Sequence, residues 1–389
     1  MRRVLSLSLL CVLGIAHRGW AQQSDDDWAR CADRNPDVAI VGCSAVIRGS
    51  ARGPADLATA YRNRAAAQSR RGDRRGAIAD YSAAIELEPD APALYVSRGL
   101  AERALGDLES AIRDYTHAIA LNPSAAPPYV SRGFAEADQG ALDAAIDDYN
   151  RALDRDPRYA FAYADRGVAR AGKGDLDGAA ADFAAAAAIN PSYAFAYTNL
   201  GNLKRARGDS PGAAAEYARA LRADARFALA YFNRGVLEFN DRDLDAALMD
   251  LRQAIAIDGS TDVADQARLY EWIIRARRGE RDAATRDLLV RVSQRATGYV
   301  DPWSARRMEF LAGAIDGNAL LLEAKAPRAL LPAAIARRSA QALFLIGMAR
   351  TLAGDIENAR TFLGDCMAID HTPDSPYSSA AAELSAGTR

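Results

Sequence analysis

Side chains able to do chemistry are sparse in this 389-residue sequence and do not cluster. Beyond Ala21 the only imidazoles are His117 and His371, far apart, and neither sits in a run of ligands spaced like a zinc site. No Gly-Lys-Ser/Thr phosphate loop and no His-Glu-x-x-His helix occurs. Asp147 and Asp148 are adjacent acids, but neighbours on a helix point in different directions. The charges that do recur are matched at long range. Arg64, Arg98, Arg132, Arg166 and Arg234 each have an aspartate sixteen residues on: Asp80, Asp114, Asp148, Asp182 and Asp250. Where Leu200 replaces the arginine, Glu216 replaces the aspartate. A planar guanidinium suits a carboxylate, so this pattern predicts ion pairs that fix packing, in preference to an arginine ladder facing a ligand. The sequence therefore reads as a non-enzyme, with no catalytic residue, no metal and no cofactor.

The elements that carry these pairs follow from a strict period. Tyr61, Tyr95, Tyr129, Tyr163, Tyr197 and Tyr231 recur at a constant interval of thirty-four positions. Sixteen residues after each comes alanine, from Ala77 to Ala247. Twenty after each comes Tyr81, Tyr115, Tyr149, Phe183, Tyr217 or Leu251. Large residues on one helix filling space left by small ones on another predict one helical hairpin per period. Gly99, Gly133, Gly167, Gly201 and Gly235 allow the close approach. Steps such as Gly72-Asp73 and Gly106-Asp107 combine a left-handed stop with an acidic N-cap. Pro89, Pro123, Pro157 and Pro191 close the second helices, and Ala225 and Gly259 replace that proline in the last two periods.

This pattern resembles the tetratricopeptide-repeat (TPR) family, over residues 58–259. The resemblance implies an all-α solenoid of helical hairpins wound as a right-handed superhelix. A single hairpin cannot bury its apolar face alone, so neighbours must stack. Residues 22–57 are expected to form a helical cap, 260–339 divergent helical pairs, 340–373 a final TPR-like repeat, and 374–389 a polar, frayed tail with one short helix around Ala380 to Leu384. Gly347, Gly354-Asp355 and Ala359 fall in phase in that final repeat, and Cys366 takes a position held elsewhere by alanine, as a packed thiol. The C-terminal order of helices also looks like that of the lipoprotein NlpI, an envelope adaptor for peptidoglycan hydrolases and a processing protease.

Arg2 and Arg3, the apolar run Val4 to Ala16, and Gly19-Trp20-Ala21 read as a secretory signal over residues 1–21, cleaved near Ala21. Leu10 before Cys11 departs from a lipidation signal, so a periplasmic protein with no transmembrane segment in the mature chain is expected. The formal net charge is −2, and loss of the three leader arginines takes it to −5, which argues against a nucleic-acid surface. Export favours disulfides. Cys31 and Cys43 flank the Asn35-Pro36 turn, and a bridge there would add about 3 kcal/mol in the chain-entropy model; two buried free thiols are the alternative.

What remains for function is surface. TPR solenoids bind extended or helical segments in the concave groove lined by their first helices. The groove positions are Val96, Leu100, Phe134, Val168, Asn199, Asn202, Phe232, Val236 and Phe239. The resemblance implies an adaptor for protein or peptide partners, with envelope enzymes as one class. Alternatives are a self-associating array, hence a homo-oligomer, or an accessory subunit of a secretion system or envelope enzyme. The carboxylate clamp of TPR co-chaperones is incomplete: Arg62 and Asn63 are followed by Ala66, Ser97, Pro127 and Ser131.

Overall fold

Small residues at helix crossings and a left-handed turn once per period give paired antiparallel helices throughout. The computed structural model describes residues 25–50, 53–293, 302–326, 332–369 and 377–386, and among these there is no strand. The leader 1–21 and His371 lie outside the described residues. The chain divides into two units, residues 1–169 and 170–389.

The first unit opens with α1 (residues 25–31), α2 (Pro36–Ala45) and a π-turn (Val46–Ser50). The Cys31–Cys43 disulfide is formed, with the two Cα atoms 4.3 Å apart. Gly42 permits this crossing, since a Cβ there would lie 2.5 Å from the backbone nitrogen of Cys31. Three hairpins follow: α3 (Pro54–Arg71) with α4 (Arg74–Leu87), α5 (Pro92–Leu105) with α6 (Leu108–Leu121), and α7 (Ala126–Asp138) with α8 (Leu142–Arg155). Then α9 (Ala160–Gly172) begins.

The second unit contains α10 (Leu176–Ile189), the hairpins α11 (Ala194–Ala206) with α12 (Ser210–Ala223) and α13 (Ala228–Asn240) with α14 (Leu244–Ile257), then α15 (Asp262–Arg277), α16 (Arg281–Ser293), α17 (Pro302–Leu311) and α18 (Gly317–Lys325). The long α19 (Pro332–Leu352) pairs with α20 (Ile356–Ile369), and α21 (Tyr377–Ala386) comes last.

The hairpin core has one repeated contact. Tyr115, fully buried, packs against Gly99, where a Cβ would come within 2.7 Å of the ring. Tyr149 meets Gly133 and Tyr217 meets Gly201 in the same way, while Leu251 meets Gly235. Burying one such side chain is worth roughly 1.5–3 kcal/mol, which is why the small residue opposite it recurs. Leu363 against Gly347 repeats the contact between α20 and α19.

Helix ends are also periodic, including where the closing proline is lost. Although Ala225 and Gly259 replace the closing proline, α12 and α14 end in the same register as α8 and α10. From α6 onward the residue just past each second helix supplies the stop. Asn122, Asp156, Asn190, Asp224 and Asp258 each accept a hydrogen bond from the backbone N–H two residues on, at 2.8–3.3 Å. These Asx turns stop the helix with or without proline. At the other end Asp73, Asp107, Asp175, Asp209 and Asp243 cap the second helices.

Candidate partner-binding surface

Four of the arginine–aspartate pairs read from the sequence meet across the two helices of a hairpin. In the first unit Arg64 binds Asp80 through Nε at 2.6 Å and Nη2 at 2.7 Å, and Arg98 binds Asp114 at 2.7 and 2.8 Å. Arg132 binds Asp148 at 2.6 and 2.8 Å. In the second unit Arg234 binds Asp250 in the same two-pronged manner. Arg166 belongs to the first unit, where its Nη1 donates to Asn150 at 2.6 Å. Asp182 belongs to the second, where it accepts from Arg170 at 2.9 Å.

In the first unit the third nitrogen of these arginines reaches backwards. Nη1 of Arg98 donates to Ser82 and that of Arg132 to Thr116, both at 3.0 Å, so each guanidinium ties its own hairpin to the preceding one. Arg64 does the same with Ser44 of the cap at 3.0 Å. Each arginine also lies over the tyrosine one turn earlier, as Arg98 does over Tyr95 at 5.8 Å. At Arg64, Arg98 and Arg132, carboxylate, hydroxyl and aromatic face each take part of the guanidinium.

In the fifth repeat the cation moves one turn along α11. Lys204 Nζ binds Glu216 at 2.8 Å, and Arg219 binds the other oxygen at 3.0 Å. Sequence spacing alone missed this because Lys204 stands where Glu102, Glu136 and Glu238 stand in other repeats. Those glutamates are packed beside arginines already committed to aspartates, and one oxygen of each is buried without a hydrogen-bond partner. Burial, reinforced by the nearby aspartate, raises all three to about 7.

The first-helix positions of the first unit form a mixed surface. Leu100 and Val168 are 48% and 46% exposed, and Phe134 between them in register is half-buried. Arg103 covers the Phe134 ring at 4.6 Å and pairs with Asp138 at 3.0 Å. Val96 is half-buried against the core below. Asp165 joins this face, and burial raises its carboxyl to about 7 despite the pull of Arg103.

The second unit differs, and three of the expected groove positions are buried. Asn202 is buried and accepts from the Tyr217 hydroxyl at 2.8 Å and from Asn233 at 3.0 Å. Val236 and Phe239 are interior: Phe239 is fully buried, edge-on to Tyr270 at 5.3 Å with Arg277 over its ring. Phe232, half-buried, also meets Tyr270, at 6.0 Å. Asn199 is half-buried and donates to the Phe195 carbonyl at 2.9 Å. The cause is the chain's own C-terminal part, because Tyr270, Phe344 and Ala380 close over this face in one cluster. The short helix expected around Ala380 to Leu384 is α21, which packs there through Ala380.

His117 is exposed and stacks on Tyr95 at 4.3 Å. Cys366 is a buried cysteine. Gly208-Asp209-Ser210-Pro211-Gly212 spells the Gly-x-Ser-x-Gly pattern of a nucleophile elbow, yet Ser210 is the first residue of α12 in a helix–helix turn, without the strand an elbow needs. Among the described residues no group of three metal-ligating side chains converges, and no helix is long and apolar enough to cross a membrane.

The chain matches the tetratricopeptide-repeat family over residues 62–126, 132–194 and 198–263. Among solved structures it is similar to a tetratricopeptide-repeat protein from Parabacteroides merdae, at 18% identity over 64% of this chain and 97% of that one, with a TM-score of 0.55. MamA matches at 24% identity over 44% of this chain and 94% of its own, with a TM-score of 0.39. YrrB, described as a TPR protein with an unusual peptide-binding site, matches at 22% identity over 48% and 97%, with a TM-score of 0.36. No curated protein matches the chain.

Proposed function

From its membership of the tetratricopeptide-repeat proteins, whose stacked hairpins serve protein–protein interaction, we propose that this chain is a non-catalytic adaptor docking protein or peptide partners on the first-helix face of its N-terminal unit. The observation that carries this reading is the register of Leu100, Phe134 and Val168: two exposed aliphatic side chains either side of a half-buried aromatic, repeated at the period of the fold. Exposed apolar side chains in a fixed row suit a partner with matching spacing. The second unit's equivalent positions are covered, so the first unit is the more open of the two.

The setting we propose is the periplasm. The leader pattern of residues 1–21 supports export, as does the Cys31–Cys43 disulfide, because such bonds persist in oxidising compartments. Envelope enzymes are the partner class suggested by the C-terminal helix order. The test is capture from an envelope extract on the immobilised mature chain, compared with a Leu100→Asp/Phe134→Ala/Val168→Asp variant of unchanged helical content. Specific partners should be retained by the former and lost by the latter. Recovery of the same partners by both would overturn the assignment of this face.

A further inference from the structure

The turn after each first helix takes a left-handed backbone, supplied by glycine at Gly72, Gly106, Gly140, Gly174 and Gly208; at the sixth position it is Arg242, with φ 68°. A side chain there is conformationally disfavoured, so an arginine in that slot asks for a return. Its Nη1 donates to Glu383 of α21 at 3.0 Å, and Arg277 Nη2 meets the same oxygen at 2.7 Å. Glu383 is 5% exposed. One turn earlier Arg205 donates to the Ser378 hydroxyl at 2.8 Å, and Tyr270 shares a hydrogen bond with Ser379 at 3.0 Å.

This is unlike the stacking elsewhere in the array. Hairpins pack large apolar residues on small ones, whereas α21, mostly serine and alanine, sets Ala380 and Leu384 on the apolar cluster and adds bonds to polar side chains from several elements. A carboxylate clamped by two arginines and a hydroxyl read by a buried tyrosine is the chemistry of recognition. The apolar fit is also incomplete: a cleft of about 290 Å³ beside Leu384 is walled by Arg242, Arg277, Ile356 and Leu363.

We propose that the first-helix face of the second unit is a receptor for a short helix that carries small hydroxyl residues, then a glutamate four residues on, then a bulky apolar residue. In this structure α21 is its resident occupant, through Ser379, Glu383 and Leu384, and a partner helix of the same chemistry competes with it. The inference rests on the adaptor reading but concerns a different unit.

The probe is a fluorescein-labelled peptide of residues 374–389, followed by anisotropy on the full chain. Binding is compared between the wild type and a Ser379→Arg/Glu383→Arg chain whose own α21 is loosened. The loosened chain should bind at least about tenfold tighter, since it lacks the resident competitor. A peptide with Leu384→Phe should bind tighter again by filling the cleft. Adding Arg242→Glu and Arg277→Glu to the loosened chain should weaken binding about tenfold or more. If the loosened chain loses its helical content, a Glu383→Gln chain replaces it in the same comparison. Peptide binding that is equal in both chains, absent from both, or indifferent to reversal of the two arginines would overturn the proposal. Peptide exchange without partner capture by the first unit would leave this inference standing and sink the adaptor reading alone. Capture without peptide exchange would do the reverse.

Discussion

Arg132 grips Asp148 by two parallel bonds, at 2.6 and 2.8 Å, while its remaining Nη1 reaches Thr116 of the preceding hairpin at 3.0 Å. One side chain thereby joins three helices: its own α7, its partner α8 and the earlier α6. Asp148 is only 2% exposed, so its charge depends on that arginine and on Arg151, 3.2 Å away on the same helix. Arg64 and Arg98 make the same contact, so in the first unit these side chains fix the register between neighbouring elements as well as the pairing within a hairpin.

Removal of one partner therefore costs more than an exposed ion pair would. Arg98→Ala leaves Asp114 buried without its main counter-charge, and denaturant unfolding should show a loss of about 3 kcal/mol. Arg98→Lys should recover part of that loss, since an ammonium cannot make the two-pronged contact. An Arg98→Ala chain that unfolds at the wild-type midpoint would refute the structural role of the pair.

The fifth repeat offers a swap. Lys204→Met strips Glu216 of one cation, but Lys204 is 38% exposed and Arg219 remains, so only about 1 kcal/mol should be lost. Adding Leu200→Arg restores the usual cation to its place opposite position 216, and the double variant should be more stable than Lys204→Met alone. If it is less stable, the two arrangements are not interchangeable.

Stability should fall as pH rises through neutrality. Glu102, Glu136 and Glu238 have carboxyls raised to about 7 in the folded chain against 4.5 unfolded, chiefly by burial. The folded state thus holds protons that the unfolded state releases. This contribution is complete below about pH 4.5 and is lost as pH climbs through about 7. Unfolding midpoints between pH 5 and 8 should drop for the wild type and drop less for a Glu102→Gln/Glu136→Gln/Glu238→Gln chain. Asp165, raised in the same direction, leaves a residual slope.

Reduction of the Cys31–Cys43 bridge should act locally. Cross-linking across a separation of 12 residues constrains the unfolded cap by about 3 kcal/mol. Limited proteolysis with and without reductant should show new cleavage between residues 25 and 50, with hairpins beyond α3 protected in both. Cleavage unchanged by reductant would mean that packing of Val46 and Ala60 with the cysteines holds the cap unaided.

Much of this protein was determined by the sequence alone, because a repeat interacts with its nearest neighbours over short chain distances. Tyr115 needs Gly99, and Arg98 needs Asp114; both partners lie sixteen residues away and return with every period, so a single sequence displays the pair several times over. The shift of the fifth cation to Lys204 was less legible, since a displacement of one helical turn breaks the register while keeping the charge near Glu216. What only the tertiary structure decided is which first-helix positions stay open. Leu100 and Phe239 belong to the same kind of helix face, yet one is 48% exposed and the other fully buried. The difference comes from Tyr270, Phe344 and α21, residues outside the six regular repeats. Contacts such as Arg205 with Ser378 or Arg242 with Glu383 span well over a hundred residues and occur once. No periodicity announces them, and they depend on where the chain comes back after its regular repeats have ended.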